Sequence, residues 1–494
     1  MLILRWPSAD ANWAQTQLRW PENHIFTPWY LLKLGGLHNM FKDKNILVIG
    51  SGLSGISAVK LLHDVGAFPY LYEGDAKKTA SEIEEKLPKG YDIPIYIGTL
   101  PPQDVLGKIN TAVISPGINL DNPVVEKLKA ADIKIIGEIE LAYMYAKGRI
   151  IAITGTNGKS TTVTLVGEIM KAHFSDVFVV GNIGFPFCDI ALKTTDESVI
   201  VLEVSSFQLE TIEKFAPYIS AILNITPDHL DRHGTMENYI KMKERIAENQ
   251  DKNQYCVLNL DNEHTASFAG NCPATPLLFT FSKEINSGCY MLGDIILLSK
   301  LGVAEPYFNI YQTKLVGTAN IENIMAAILI SSKMAVPRET IIETIKAFRA
   351  VEHRLEYVAT HNGVDYYNDS KATNPDAAIQ GIRAMSKPTI LLAGGSDKKA
   401  DYLPWLNECR DKVKAFILFG ETKDEIAACA ASIGLHNIHK AQTIEEVINL
   451  CQTLAAPGDA ILLSPACASF DMFKNYEDRG NKFKELVLTA VREG

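Results

Sequence analysis

The chain has 494 residues, of which 47% are hydrophobic and 21% charged, values that are ordinary for a globular protein. Its formal net charge of −10 argues against a nucleic-acid partner, because such proteins usually carry a basic patch or domain. No apolar run approaches the ~18–20 residues that cross a bilayer, so we expect no membrane insertion. At about 150 residues per domain, the length predicts about three domains.

Two further features of the sequence are its cysteines and its first 40 residues. The eight cysteines are scattered without a C-x-x-C pair, which indicates reduced thiols and a cytoplasmic protein. No basic region precedes a long apolar core at the start, so no secretory signal is expected. Residues 1–40 hold four of the five tryptophans without a regular pattern. We interpret them as a poorly ordered extension with Met40 as an alternative start; an interaction arm or membrane-surface segment stays open.

The first regular pattern begins at Asn45. A buried-type strand runs into Gly50-Ser51-Gly52-Leu53-Ser54-Gly55, then into a helical stretch and a second strand that ends at Glu73. This order is the Rossmann fingerprint, in which the glycine turn binds phosphate and the acidic residue usually meets a ribose hydroxyl. The alternative is a purely structural tight turn. The glycines do not identify the nucleotide.

A second glycine turn follows the apolar run 150–153 and reads Thr154-Gly155-Thr156-Asn157-Gly158-Lys159-Ser160-Thr161-Thr162. Backbone N–H groups at the glycines, a helix N-terminus, the Lys159 cation and a hydroxyl for Mg²⁺ together predict an ATP-type phosphate cradle. The pattern differs from the general P-loop, because Ile153 stands where the first glycine of G-x-x-x-x-G-K-[ST] is expected.

Polar residues follow several later strands. Glu203 ends an apolar run beside the cradle and is a candidate Mg²⁺ ligand, with a surface carboxylate as the alternative. His229 and His233 are four residues apart, but no third ligand follows, so we discount zinc. The alternation of strands and helices predicts an α/β protein of three domains. They are a Rossmann-like N-terminal domain (41–138), a central P-loop-type ATPase domain with a mostly parallel sheet (139–349) and a C-terminal Rossmann-like domain (350–494).

Four classes of function compete at this point. A nicotinamide-dependent oxidoreductase explains the first glycine turn but gives Lys159 no role, and a motor or switch NTPase leaves the front domain without one. A ligase uses all three domains, one for a nucleotide-tagged acceptor, one for ATP and one for an incoming amine. A non-catalytic nucleotide-binding scaffold is the remaining alternative.

The loop at residues 154–162, without the usual first glycine, resembles the ATP signature of the Mur ligase family. The resemblance extends from about Lys42 to the C-terminus and rests on further strings at 181–184, 203–210, 228–232, 353–356, 368–374 and 464–471. The last two strings are the most discriminating and favour members that add D-glutamate; another Mur-type amino-acid ligase is the alternative. Two positions depart from the family pattern. Ala319 stands where histidine is usual, and Ala350-Val351 where Gly-Leu is common.

The resemblance implies an ATP-dependent amide ligase of cytoplasmic peptidoglycan precursor synthesis, and hence a role in cell wall biogenesis, cell shape and cell division. The carboxylate of UDP-N-acetylmuramoyl-L-alanine would take the γ-phosphoryl group of ATP, and the amine of D-glutamate would attack the acyl phosphate. These small molecules would be its partners, and a monomer is expected.

The resemblance also implies roles for individual residues. Lys159, His229 and Lys243 would be catalytic. One Mg²⁺ would be held by Ser160 and Glu203, and a second by His229 and a carbamylated Lys243. The residues expected to bind ATP are Gly155, Thr156, Asn157, Gly158, Lys159, Ser160, Thr161, Asn323, Arg354 and Asp369. Those expected to bind the UDP-substrate are Leu53, Ser54, Glu73, Gly74, Gly117 and Asn182, and those expected to bind D-glutamate are Thr373, Lys398, Ser469 and Phe470.

Overall fold

Three separate β-sheets organise the protein. A computed structural model describes residues 40–349, 351–396 and 400–493. The sheets have five, nine and six strands, and strands alternate with helices over most of all three units, which confirms the predicted α/β class. The predicted N-terminal extension comprises residues 1–40, and residues 1–39 lie outside the described part of the chain.

The first unit is a five-stranded parallel sheet with the order β3-β2-β1-β4-β5. Because the strand order reverses between β1 and β4, the carboxyl ends of these two strands open a crevice for a ligand. Its elements are β1 (Asn45–Ile49), α1 (Leu53–Asp64), β2 (Phe68–Glu73), α2 (Ala80–Glu84), β3 (Ile95–Ile97), α3 (Gln103–Leu106), β4 (Ile109–Ile114), α4 (Pro123–Ala130) and β5 (Lys134–Gly137).

Helix α5 (Glu138–Tyr145) leads into the second unit, a nine-stranded sheet with the order β14-β13-β12-β11-β10-β9-β6-β8-β7. It is parallel except at β12, β13 and β14, which form antiparallel hairpins at one edge. Its elements are β6 (Arg149–Thr154), α6 (Lys159–Lys171), β7 (Val177–Gly181), β8 (Val199–Glu203), α7 (Ser206–Leu209), β9 (Ile219–Ile222), α8 (Leu230–His233), α9 (Met236–Glu244), β10 (Tyr255–Asn259), α10 (Glu263–Ala269), β11 (Thr275–Thr280), β12 (Gly288–Leu292), β13 (Ile295–Lys300), β14 (Val303–Asn309), α11 (Thr318–Lys333) and α12 (Arg338–Ala347).

The third unit has six strands in the order β15-β16-β20-β17-β18-β19, and only the β15–β16 pair is antiparallel. Its elements are β15 (Glu356–His361), β16 (Val364–Asn368), α13 (Pro375–Ala384), β17 (Thr389–Ala393), α14 (Leu403–Glu408), β18 (Val413–Leu418), α15 (Lys423–Ser432), β19 (Ile438–Lys440), α16 (Ile444–Leu454), β20 (Ala460–Leu463) and α17 (Tyr476–Glu493).

The apolar cores join two of the units and leave the third apart. One continuous cluster contains Ile46 and Leu62 of the first unit together with Phe187, Ile200 and Tyr239 of the second. The two clusters of the third unit contain residues of that unit alone, within the part of the chain that the structure describes. The first two units therefore share a core, whereas the third packs as a separate body.

Helix α9 ends at Glu244 and continues as a tighter 3₁₀ turn at Arg245–Ala247, a common way for a helix to end. All eight cysteines are free, and seven of them are buried. No helix among the described residues is long and apolar enough to span a bilayer.

The glycine turn after β1 depends on the missing side chain of Gly55. A Cβ atom built there would lie 1.9 Å from the carbonyl oxygen of Gly50, so α1 can approach β1 only because this residue is glycine. Gly52, in the same motif, faces open space and has φ −75°.

We therefore expect Gly55→Ala to lower the thermal unfolding midpoint by about 5 °C or more, because the helix must move away from the strand. Gly52→Ala is the matched control and should change the midpoint by less than about 2 °C. Scanning calorimetry of both variants measures this. Equal midpoints for the two variants would contradict the close approach of α1 to β1.

Candidate active site

The loop between β6 and α6 forms the predicted phosphate cradle. Gly158 has a left-handed backbone (φ +84°), and a Cβ atom there would lie 2.4 Å from Oδ1 of Asn323. Asn323 lies on α11 and is buried. The predicted ATP-binding residue on α11 thus contacts the predicted loop, and glycine is needed at Gly158 for both conformation and space.

The cradle is held rigid by the segment that follows β9. The Thr226 amide donates to Oγ1 of Thr156 at 3.0 Å, and that hydroxyl lies 3.1 Å from the Tyr239 hydroxyl. The Asn157 amide donates to Oδ1 of Asn224 at 2.8 Å. The loop is therefore preorganised by its own neighbours, which reduces the reorganisation that anion binding would require.

Two lysine side chains meet at one backbone oxygen of the cradle. Lys159 Nζ donates to the Gly155 carbonyl at 2.8 Å, and Lys243 Nζ donates to the same oxygen at 2.9 Å. Burial lowers the pKa of Lys159, and burial together with the Lys159 charge holds the pKa of Lys243 well below its ordinary value. Lys243 lies on α9 under the ring of Tyr239, with Nζ 4.7 Å from the ring centroid.

Glu203 lies beside the cradle at the carboxyl end of β8, where it pairs in register with Ile153 of β6. Its side chain is 2% exposed, and Oε1 accepts a hydrogen bond of 2.9 Å from Nδ2 of Asn182. Oε2 is buried and has no hydrogen-bond partner among the described residues. An unpaired buried carboxylate oxygen is costly, so its chemistry fits a cation ligand.

The residues predicted to hold metal are Ser160, Glu203, His229 and Lys243. No three His, Cys, Asp or Glu side chains cluster for a metal within residues 40–349, 351–396 and 400–493. A cation here would therefore need oxygen ligands from hydroxyls, water or substrate phosphates, which is usual for Mg²⁺ at nucleotide sites. The oxygen of Glu203 that has no partner among the described residues fits such a cation.

His229 stands at the start of α8 in a strained conformation. Its φ of +52° lies in the left-handed region, which is unusual for a residue other than glycine and clusters at functional sites. Its amide donates to Oδ1 of Asp228 at 2.9 Å, and Nε2 lies 3.5 Å from the other oxygen of that carboxylate. The edge-to-face ring of Phe207, 4.9 Å away between centroids, completes its surroundings.

The third unit reaches the cradle through Arg354, whose Nη2 donates to Oγ of Ser160 at 3.1 Å. Nε of Arg354 is buried and has no partner among the described residues, so the guanidinium retains donor capacity toward a ligand. Asp369 accepts from the Ser464 hydroxyl at 2.8 Å and from the Leu355 amide at 3.1 Å. Burial nevertheless raises the pKa of Asp369 to about 7.

Lys371 and Tyr476 are residues at this site that the sequence reasoning missed. Burial and the nearby Arg354 charge lower the pKa of Lys371 to about 8, with Glu203 opposing them. Its ammonium lies 5.0 Å from the centroid of the Tyr476 ring. Lys371 belongs to one of the strings that carry the resemblance, which was a usable signal. Tyr476 begins α17, outside those strings, and no sequence signal marks it.

Three of the four residues predicted to receive D-glutamate, Thr373, Ser469 and Phe470, lie on loops at the carboxyl end of the third sheet. The Ser396 amide donates to the Ala468 carbonyl at 2.9 Å, which brings the loops after β17 and β20 together. Ser469 is buried, Thr373 is half-buried, and Phe470 is exposed. Lys398 lies outside the described residues.

Five of the six residues predicted for the UDP-substrate follow the carboxyl ends of β1, β2 and β4 or end β2 itself, whereas Asn182 follows β7 in the second unit. Leu53 opens α1 with its side chain exposed beside the half-buried Ser54, and Gly74 and Gly117 are exposed in the loops after β2 and β4. The sequence predicts that Glu73 accepts a hydrogen bond from a ribose hydroxyl, but its carboxylate already accepts hydrogen bonds within the protein. It accepts hydrogen bonds from the Ser51 amide at 3.1 Å, the Asp75 amide at 2.9 Å and Lys78 Nζ at 2.8 Å. Although burial opposes them, the bonds from Lys78, Ser51 and Asp75 lower its pKa to about 2.

Three family models match successive parts of the chain. The MurD-like N-terminal domain of the Mur ligases matches residues 44–137, the Mur ligase middle domain residues 153–331, and the Mur ligase glutamate ligase domain residues 353–467. The chain belongs to the Mur ligase family. The models span all three units, and nothing in the comparisons supports the nicotinamide-dependent alternative.

Two relatives that carry the same name are similar to this chain over most of its length. A relative from Lachnospira eligens, named UDP-N-acetylmuramoylalanine–D-glutamate ligase, is 49% identical over 90% of this chain and 99% of its own length. A relative of the same name from Lachnoclostridium phytofermentans is 46% identical over 90% of this chain and 98% of its own. The fold is similar to that of a MurF ligase from Thermotoga maritima solved in complex with ADP. The TM-score is 0.57 at 14% identity, over 92% of this chain and 97% of that one.

The raised pKa of Asp369 predicts a pH-dependent stability difference. Its folded pKa is about 7 against an ordinary 3.8, so between these values the folded state keeps a proton that the unfolded state releases. This group therefore makes the folded state less stable as pH rises through that window. Asp369→Asn removes the effect, so the unfolding midpoint of the variant relative to wild type should increase from pH 5 to pH 8.

Thermal unfolding at several pH values measures this difference. Asp411→Asn, at an exposed position in the same unit, is the control and should differ from wild type by a constant amount. A constant difference for Asp369→Asn as well would contradict the cost of ionising the buried carboxyl.

Proposed function

We propose that this protein is an ATP-dependent ligase that joins D-glutamate to UDP-N-acetylmuramoyl-L-alanine through an acyl-phosphate intermediate. The observation that carries the proposal is the contact of Arg354 with Ser160, because it brings the amino-acid-adding unit onto the ATP cradle. The relatives that share close to half of its sequence support the choice of substrates. Residues 41–138 bind the UDP-substrate, residues 139–349 bind ATP, and residues 350–494 bind D-glutamate.

The cradle binds the ATP phosphates. Backbone amides of residues 155–161 and the N-terminus of α6 face the anion, and Lys159 is the fixed cation beside the γ-phosphoryl group. Asn323, Arg354 and Asp369 bind the same nucleotide from α11 and from the third unit. The free donor of Arg354 suits a phosphate oxygen, because guanidinium groups bind phosphate through several directed hydrogen bonds.

Two Mg²⁺ ions would complete the site, one held by Ser160 and Glu203 and one by His229 and carbamylated Lys243. They would supply positive charge that offsets the charge of the phosphate oxygens. The unpaired Oε2 of Glu203 supports the first site. For the second, a lowered pKa favours the neutral amine of Lys243, the form that reacts with CO₂. The carbamate would be an anion beside the Lys159 cation, so the two groups would attract each other.

The substrates approach from opposite sides of the cradle. Leu53, Ser54, Glu73, Gly74 and Gly117 bind the uridine diphosphate part, and Asn182 orients the muramoyl-alanine end toward Glu203. D-glutamate binds at Thr373, Lys398, Ser469 and Phe470, where a cation and two hydroxyls suit its two carboxylates. The amine attacks the acyl phosphate, and the tetrahedral intermediate releases phosphate.

The reaction belongs to cytoplasmic peptidoglycan precursor synthesis, and the protein works as a monomer. Eight free cysteines agree with a reducing compartment. Every proposed binding residue is supplied by one chain, so no partner subunit is required.

We expect phosphate release from ATP only when both UDP-N-acetylmuramoyl-L-alanine and D-glutamate are present. A coupled phosphate assay measures this, with each substrate omitted in turn. Lys159→Ala should reduce kcat by about 100-fold or more, because it removes a charge that stabilises the transition state. Equal turnover with L-lysine or diaminopimelate would show that the chain is a different Mur-type ligase.

Carbamylation of Lys243 can be observed directly. Protein incubated with ¹³C-bicarbonate should give a carbamate carbon signal by NMR that is absent in Lys243→Ala. Lys241→Ala, an exposed lysine on the same helix, is the matched control and should retain the signal. A spectrum without the signal in wild-type protein would remove the carbamate from the second metal site.

A further inference from the structure

Two charged residues at the ends of the family strings have no role in the proposed chemistry. Glu210 ends the string that begins at Glu203, and Arg232 ends the string that begins at Asp228. In the structure they meet. Arg232 Nε donates to Oε1 of Glu210 at 3.0 Å, and Nη2 donates to Oε2 at 2.6 Å. Both side chains are 10% exposed, so this is a bidentate pair largely removed from solvent.

Arg232 also contacts the first unit. The same Nη2 donates to the carbonyl oxygen of Ile118 at 3.0 Å, although the two residues are 114 positions apart in the chain. Ile118 follows Gly117 in the loop after β4, the loop proposed to receive the uridine diphosphate part. A single guanidinium thus joins the loop after β4 to the loop after β9.

The Arg232 guanidinium also stacks on an aromatic ring that contacts His229. The guanidinium carbon lies 4.2 Å from the centroid of the Phe207 ring. His229 packs edge-to-face on Phe207 at 4.9 Å. Arg232 therefore supports, through one aromatic ring, the imidazole proposed as a metal ligand.

Glu210 is itself fixed to the rest of the site. Arg245, two residues beyond Lys243, donates to the carbonyl oxygens of Leu209, Glu210 and Ile212 at 2.7, 2.8 and 2.7 Å. Glu140, on the helix between the first two units, accepts the amides of residues 213, 214 and 215. The backbone on both sides of Glu210 is thus held in place by Arg245 and by the helix between the two units.

We propose that Arg232 is a positioning residue of the ligase reaction. It holds the UDP-substrate loop at a fixed place relative to His229, so that the carboxylate to be phosphorylated meets the ATP cradle. This inference rests on the proposed function. A bidentate, stacked guanidinium is required, because lysine has one compact ammonium and cannot make both bonds to Glu210 and a third to Ile118. A misplacement of about 1 Å between reacting groups costs on the order of 100-fold in rate.

The test compares Arg232→Met, Arg232→Lys and Glu210→Gln with wild type in the complete reaction. We expect Arg232→Met to raise KM for the UDP-substrate by about tenfold and lower kcat by about tenfold or more, with KM for ATP within about twofold. Arg232→Lys should lose most of the same function. Arg232→Met combined with Glu210→Gln should be no worse than Arg232→Met alone, because both remove one interaction.

Arg383→Met is the matched control, since Arg383 makes a bidentate pair with Glu408 on the surface of the third unit. It should keep wild-type kinetics. Wild-type KM and kcat in Arg232→Met would overturn the proposal. An equal rise in KM for ATP and for the UDP-substrate, together with a large fall in the unfolding midpoint, would also overturn it, because these changes indicate a general loss of structure. If Arg232→Met does not fold, Arg232→Lys decides by the same criteria. Absence of D-glutamate-dependent turnover in wild type would instead refute the proposed function.

Discussion

The interaction on which the site depends is the sharing of one backbone oxygen by two buried lysines. Lys159 and Lys243 both donate to the Gly155 carbonyl, so two ammonium groups would lie within one small volume of low polarity. Burial lowers the pKa of both lysines, and the Lys159 charge adds to the effect at Lys243, whose pKa is lowered the more strongly. The shared backbone oxygen therefore brings together two amines that both favour their neutral form more than an exposed lysine does.

Two further polar atoms at the edge of the cradle, Oε2 of Glu203 and Nε of Arg354, have no hydrogen-bond partner among the described residues. Both are buried polar groups that ligands, rather than protein neighbours, would satisfy. The first two units share an apolar core and hold the cradle rigid, whereas the third joins it through Arg354 at Ser160. Binding of ATP and a cation would therefore stabilise the arrangement in which all three units meet.

Much of this architecture can be predicted from the sequence, because local rules decide it. The G-x-G-x-x-G turn, the apolar strands and the Lys159 loop each follow from neighbouring residues, and the sheets confirm the α/β class. Contacts between distant residues could not be predicted. The hydrogen bond from the Ser51 amide to Glu73, the approach of Tyr476 to Lys371 and the hydrogen bond from Arg232 to Ile118 join residues whose spacing carries no pattern. The resemblance to a family supplied the metal and substrate roles that composition and periodicity left open.

The central claim is that the substrate carboxylate itself is phosphorylated beside Lys159. The most direct test uses UDP-N-acetylmuramoyl-L-alanine labelled with ¹⁸O in the alanine carboxylate, together with ATP and D-glutamate. Transfer through an acyl phosphate places a carboxylate oxygen in the bridge, and that oxygen leaves with the phosphate when the amine attacks. Mass spectrometry should find one ¹⁸O atom in each phosphate released. Phosphate without label, formed at the same rate as the amide product, would contradict the account.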